Sequence, residues 1–211
     1  DITFIDARQV NLAKMEVRGF DFEAAYSMRL ADIAANLDGS LNARLLVNHQ
    51  YDFIVQANPA ADPLDYAGQS GPVADGGDFN PSPPWVWNAF LAYDNGGFNV
   101  TASWRHLSKG IYRIDRIGPE DPGYDPGIED SITTNRVDAV SYYGLSMSYQ
   151  IPVGAGGDRY VELFGSINNI FDTDPPIGPG GGGGGGSNYP TNPVYFDTFG
   201  SRFRAGVRVR Y

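Results

Sequence analysis

No cysteine occurs among the 211 residues, and only two histidines do. The first absence removes disulfide staples and thiolate–metal frameworks. Long apolar runs are missing too: nothing approaches the roughly 20 consecutive apolar residues of a membrane-crossing helix. A membrane is not excluded by that, because a barrel strand needs only about 9–11 residues and every second one can be polar. Positive charge is the scarcer sign, with 15 Lys and Arg against 25 Asp and Glu and a formal net charge of −10. Nucleic acid is therefore a poor partner, since its binding is driven by basic surfaces. The opening residues Asp1-Ile2-Thr3-Phe4 lack the basic region and apolar run of an export signal. The expectation is that such a leader has been removed, or that the chain is the C-terminal part of something longer.

What the chain has is glycine (27), proline (15), tyrosine (13) and phenylalanine (12), together with a rhythm of two. At the C-terminus Phe203, Ala205, Val207, Val209 and Tyr211 interleave with Arg202, Arg204, Arg208 and Arg210. A period of two puts the two sets on opposite faces of one strand. An arginine facing hydrocarbon costs about 2–4 kcal/mol at the bilayer midplane, so the arginines face water or a polar lumen and the other set can meet lipid. Similar alternation marks residues 20–30, 41–53, 85–93, 98–106, 137–149 and 161–167, and more weakly 2–8. Phe164 breaks the pattern in its segment by falling on the polar side. The spacing predicts about eight antiparallel strands and no amphipathic helix.

Connection lengths alternate as well. Short turns are expected near 31–40, 94–97 and 152–158, and long loops near 54–84, 107–136 and 172–198. Long unstructured loops are uncommon inside compact soluble domains. Short turns on one side and long loops on the other are what outer-membrane barrels show. Aromatics sort by depth on this reading: Tyr93, Phe98, Tyr149 and Tyr211 at the periplasmic ends, Trp85, Trp104 and Phe53 at the outer ends. Two aromatic girdles follow from the preference of amphipathic rings for the headgroup zone. The fold class is therefore all-β, a portion of an antiparallel transmembrane β-barrel with short periplasmic turns and long extracellular loops. A soluble β-sandwich also alternates, but its loops would be shorter and its outer faces more charged.

Four segments carry a family resemblance. They are Asn11-Leu12-Ala13 with Gly19-Phe20-Asp21-Phe22-Glu23; Pro84-Trp85 through Tyr93; Val161 through Asn168-Asn169-Ile170-Phe171-Asp172; and Tyr195-Phe196-Asp197-Thr198-Phe199-Gly200 with the terminal strand. In this order they resemble the C-terminal barrel region of TonB-dependent outer-membrane receptors. The motif residues carried by the resemblance are Asn169, Phe171, Asp172, Gly200, Arg202 and Tyr211. One departure is visible: Gly200-Ser201-Arg202 stands where an adjacent Gly-Arg is commoner, which leaves the strand register intact.

The resemblance implies a barrel of about 22 strands, a plug in its lumen and an N-terminal segment touching the inner-membrane energy transducer. Residues 1–211 are then expected to be the C-terminal part of such a barrel, without plug or N-terminal strands. Alone they would leave two unpaired strand edges, to be resolved as an open curled sheet, a small closed barrel or an aggregate. The implied location is the bacterial cell outer membrane, and the parent would take up a ferric siderophore, a cobalamin or a glycan. Implied partners are outer-membrane lipid, the barrel assembly machinery through the C-terminal strand, the TonB complex through the missing N-terminal region, and the small-molecule or glycan substrate. Two other readings stand beside it: a self-contained small outer-membrane barrel with a structural or adhesive role, and a soluble carbohydrate-binding or hydrolytic β-domain.

Candidate site residues are few. Arg44, Arg105, Arg136, Arg202 and Arg204 are expected to line the lumen, where they could contact a plug or an anionic ligand or simply keep a wet wall solvated. Tyr112, Tyr124, Tyr189 and Tyr195 are loop aromatics that could touch a ligand. His49 and His106 sit on the apolar face without converging ligands and read as packing residues rather than metal ligands. The acidic loop Asp115…Glu120-Asp121…Asp125…Glu129-Asp130 could supply oxygen ligands to Ca²⁺, but its interspersed Pro and Gly favour a solvated loop. The run Gly180 to Gly186 lacks the Lys-Ser/Thr of a phosphate cradle and reads as a flexible linker. Asn168-Asn169 and Asp172 read as turn caps. No catalytic set can be assembled, so no catalysis, cofactor or metal is expected.

Overall fold

The structure, a computed structural model, describes residues 14–71, 82–154, 159–178 and 191–211. Its strands are β1 (Lys14–Arg29), β2 (Ser40–Gln56), β3 (Leu64–Asp65), β4 (Trp85–Asp94), β5 (Phe98–Leu107), β6 (Gly110–Ile111), β7 (Arg136–Val137), β8 (Val140–Pro152), β9 (Tyr160–Asn168) and β10 (Arg202–Arg210). Seven long strands form one antiparallel meander in the order β1-β2-β4-β5-β8-β9-β10, with β3 beside β2, while β6 and β7 pair separately. β1 and β10 are the two edges and do not pair with each other, so the sheet is open. Among the described residues no helix is long and apolar enough to cross a membrane. The weak strand expected over 2–8 lies outside the described residues.

The ladder registers turn the two-residue rhythm into continuous rows. Tyr26, Ala43, Leu91, Ala102, Leu145, Ile167 and Phe203 are successive cross-strand partners from one edge to the other. One residue along, Ser27, Asn42, Ala92, Thr101, Ser146, Ser166 and Arg204 form a parallel row on the opposite face. One face is thus apolar over all seven strands and the other is built from small hydroxyls, amides and arginines. Among the described residues nothing covers the apolar face: Leu91 is 52 % exposed, Val207 63 % and Phe203 80 %.

One bulge interrupts the rows. Arg18 pairs with Asp52 but Gly19 pairs with Gln50, so Tyr51 has no partner across the ladder. A skipped residue moves everything beyond it to the other face. Phe53 and Val55 are buried as a result, while Tyr51 stays exposed, which corrects the placement of Phe53 in the outer aromatic girdle. Gly19 is needed there because a Cβ would overlap the His49 carbonyl oxygen.

Connections follow the expected alternation: 30–39, 95–97 and 153–159 are short, and 57–84, 108–139 and 169–201 are long. At Asn95-Gly96 the hairpin closes with Gly96 at φ +82° and the Asn95 side chain accepting from the Phe98 amide at 2.9 Å. The long loops knit together at the other end. Ser70 N donates to Ile111 O at 2.8 Å, Tyr112 N to Asn135 O at 2.9 Å, and Asn192 Nδ2 to Gly71 O at 3.0 Å. Beneath them Leu107, Tyr112, Val137, Val140, Tyr142 and Phe196 form the buried core, with Val86, Ile132 and Tyr195 packed against it. Val86, Leu107 and Val140 are one cross-strand row on the otherwise polar face. That face turns apolar at its loop end because loops fold over it. The segment expected as one strand over 137–149 accordingly splits, with Val137 in the loop sheet and β8 starting at Val140.

Candidate functional site, a pocket between sheet and loops

Two rows of the polar face make the pocket floor. The first is Asn88, Arg105 and Tyr142 on β4, β5 and β8; the next is Phe90, Ser103, Gly144, Asn168 and Arg202 on β4 through β10. Residues 193–199 form the roof, and together they enclose about 430 Å³, inside the roughly 300–1,000 Å³ of small-molecule sites. Gly144 keeps the floor low, since a Cβ there would come to 2.6 Å from Ser103 Oγ.

The roof is fixed by hydrogen bonds at both of its ends. Asn192 Oδ1 accepts from the Val194 amide at 3.0 Å, and the Asp197 amide donates to Tyr142 Oη at 3.1 Å. Asp197 then receives Arg202 at 3.0 Å, while the Arg202 guanidinium stands 5.2 Å from the Phe199 ring centre. Behind the roof, Asn169 and Asp172 both adopt φ +51°. Asn169 bonds Thr173 in both directions, at 2.9 and 3.0 Å, and Asp172 Oδ1 accepts from the Ser201 amide at 2.8 Å. These are the turn caps that hold the chain between β9 and β10, with Gly200 at φ +72° against Asp172. Phe171, by contrast, is exposed and meets Tyr143 edge-on at 5.4 Å.

Arg105 is the open group of the pocket. It is half-buried and makes no hydrogen bond or ion pair among the described residues. Burial pushes the Tyr195 phenol above its ordinary value, with the Arg105 guanidinium opposing, so Tyr195 is a neutral phenol at physiological pH. A charged guanidinium and a neutral phenol therefore line the same pocket.

Arg105, Tyr195 and Arg202 are thus brought together. Arg44 lies elsewhere on the polar face, 2.9 Å from Glu23, and Arg204 stands near mid-height beside Ser166 with no partner side chain among the described residues. Two expectations are corrected. Arg136 does not line the lumen: it sits in β7, held by Glu120 at 3.0 Å and Asp121 at 2.7 Å. Tyr112 is 5 % exposed inside the loop core and does not line the pocket. Tyr124 lies in the acidic loop, away from the pocket lining, and Tyr189 lies outside the described residues. So does the Gly180–186 run.

The acidic loop spends its carboxylates on arginines, with Asp115 against Arg113 at 2.5 Å and Asp130 against Arg116 at 3.2 Å. Among the described residues no group of three His, Cys, Asp or Glu could hold a metal ion. Burial works to raise the Asp115 carboxyl, but hydrogen bonds and charge from Arg113, helped by Arg116, leave it below its ordinary value. Both histidines pack. His49 stacks on Trp85 at 4.0 Å with Nδ1 2.7 Å from Pro84 O, and His106 Nδ1 lies 2.9 Å from Ser141 Oγ.

Asn88, Phe90 and Tyr142 are pocket residues with no expectation attached to them, and Asn168, expected as a turn cap, lies in the pocket floor. Phe90 and Tyr142 carry a signal: both are aromatics on the polar parity of their strands, where a wet wall alone does not call for them.

A family model described as TonB dependent receptor-like, beta-barrel matches residues 2–170. No curated protein and no solved structure matches the chain. The match ends within the turn after β9, so the likeness of the last strand rests on its own residues.

Proposed function

Because the chain belongs to the TonB-dependent receptor-like β-barrel family, whose members are outer-membrane receptors and transporters, we propose that it is the C-terminal wall of a barrel that imports a scarce solute using inner-membrane energy. The observation that carries the reading is the pair of unbroken rows, one apolar and exposed, one polar, across all seven strands. A bare apolar face of that extent is unstable in water and matches the hydrocarbon band of a bilayer. The open edges at β1 and β10 favour a part of a larger barrel over a self-contained one, since unpaired backbone groups have no partners in lipid. The parent supplies the missing strands and a plug that rests against the polar face; the terminal strand is the recognition element for barrel assembly. The solute enters over the pocket at the loop end, a ferric chelate, a corrinoid or a glycan being the classes of cargo the family implies.

Fractionation and uptake test this together. The expected result is a heat-modifiable outer-membrane protein whose loss abolishes uptake of one solute, with the same uptake lost when the proton-motive force is dissipated. A protein that stays monodisperse in buffer without detergent rejects the reading.

A further inference from the structure

Three features of the pocket define a ligand. The first is charge. Its ionisable lining groups besides tyrosine are Arg105, Asp197 and Arg202, and the last two neutralise each other at 3.0 Å. Among these lining groups that leaves one net positive charge, on a half-buried guanidinium with no hydrogen-bond or ion-pair partner among the described residues, while the Asp174 carboxylate acts on Tyr142 from outside the lining. A guanidinium withdrawn from water without a counter-ion is unfavourable, and its planar fork suits a carboxylate, which it can grip through two parallel bonds. One unit of charge matches one carboxylate. A trianion would bring two uncompensated charges into a chain whose formal net charge is −10.

The second feature is neutral polarity. Asn88 and Asn168 line the pocket without side-chain hydrogen bonds among the described residues. Tyr142 Oη accepts from the Asp197 amide, which leaves its own proton to donate outward. Amides both donate and accept, so they are complementary to hydroxyls, which do the same. The third is the aromatic lining, with Phe90 in the floor and Tyr195 in the roof. Flat apolar surfaces of this kind cover the C–H face of a saturated ring.

We propose that this pocket binds the singly anionic end of a hydroxylated ring, a sugar acid by chemical class, with Arg105 pairing its carboxylate and Asn88, Asn168 and Tyr142 taking its hydroxyls. The proposal rests on the uptake reading above and names the cargo of that receptor. It assigns Arg105 the selection of charge and the amides the selection of hydroxyls.

The test is calorimetric titration of the whole receptor, purified from outer membranes in detergent, with three probes: a disaccharide ending in glucuronic acid, its neutral glucose counterpart, and citrate. The acidic disaccharide is expected to bind at least about tenfold more tightly than the neutral one, the range of a single charge-assisted hydrogen-bonded contact. Arg105→Gln should erase that preference while leaving heat-modifiability unchanged; Arg105→Lys should retain part of it. Equal binding of the neutral sugar, a preference that survives Arg105→Gln, or tighter binding of citrate overturns the proposal. Energy-dependent uptake, measured separately in cells, separates the two levels. Failure of the acidic sugar to bind, with proton-motive-dependent uptake of another solute intact, removes the cargo and leaves the receptor standing.

Discussion

Phe164 lies directly opposite Gly206 in the β9–β10 ladder, and its ring fills the space that a side chain on Gly206 would need. Arg208 stands over the same ring, 5.6 Å from its centre, while holding Glu162 at 3.0 Å. A large aromatic on the polar face is thus not a lapse in the alternation. It covers the bare backbone of a cross-strand glycine, a pairing that strengthens a weak point in a ladder, and it gives the guanidinium a π-face.

Gly206→Val should therefore force the Phe164 ring out of its place and destabilise the barrel by about 1–3 kcal/mol, the usual penalty of overpacking. Phe164→Ala in the same chain should remove most of that penalty, because the two side chains would no longer compete. Urea unfolding midpoints in lipid vesicles read both effects. Additive losses in the double variant would show that the ring and the glycine do not compete for the same space.

The bulge at Gly19 predicts a position-specific intolerance of a single methyl group. Gly19→Ala would drive a Cβ into the His49 carbonyl oxygen, which the backbone can relieve only by shifting the β1–β2 register. We expect a loss of about 1–3 kcal/mol and exposure of Phe53. Gly97→Ala, whose Cβ would stand 3.9 Å from its nearest neighbour, should be close to neutral. Equal midpoints for the two variants would remove the bulge as a constraint.

How far these arrangements could be read from residues alone depends on whether they are local. Strand identity is local, so the rhythms at 85–93 and 98–106 fall within a residue of β4 and β5. The turn chemistry of Asn95-Gly96 and the capping by Asn169 are local too. The face of Phe53 is not: it depends on one skipped partner two residues earlier, which no composition marks apart from Gly19. The positions of Arg136 and Tyr112 are not legible for the same reason. Both belong to the 108–139 connection, whose two ends are brought together by contacts that no local pattern marks, such as Asn135 with Tyr112 and Arg136 with Glu120. Three of the pocket's residues were legible as inward or loop groups, but their meeting point was not, because it requires the roof at 193–199 to fold back onto β5 and β8.

Facing predicts opposite outcomes for two adjacent residues. Leu145 lies on the apolar row and Ser146 on the polar one, both central in β8. Leu145→Arg should cost about 2–4 kcal/mol at mid-bilayer, whereas Ser146→Arg should change stability by less than about 0.5 kcal/mol, as surface substitutions usually do. Unfolding in vesicles measures the difference directly. Comparable losses at both positions would mean that the two faces do not meet different solvents.

Acid should loosen the loops before it touches the strands. The Asp115 carboxyl is held below its ordinary value: burial opposes the charge, and Arg113 together with Arg116 more than compensates. A depressed folded-state value means that the ionised form is favoured by folding. Its contribution is complete above the ordinary aspartate value of about 3.9 and is lost as pH falls through the lower folded-state value. As pH falls below about 4, amide exchange at Arg113 and Ile114 should therefore rise while exchange in β4 and β5 stays slow. Asp115→Asn should bring the faster loop exchange to neutral pH and abolish its acid dependence. If exchange at Arg113 keeps the same acid profile in Asp115→Asn, the loop is anchored by the Asn135 and Gln69 bonds to its backbone and not by the Arg113–Asp115 pair.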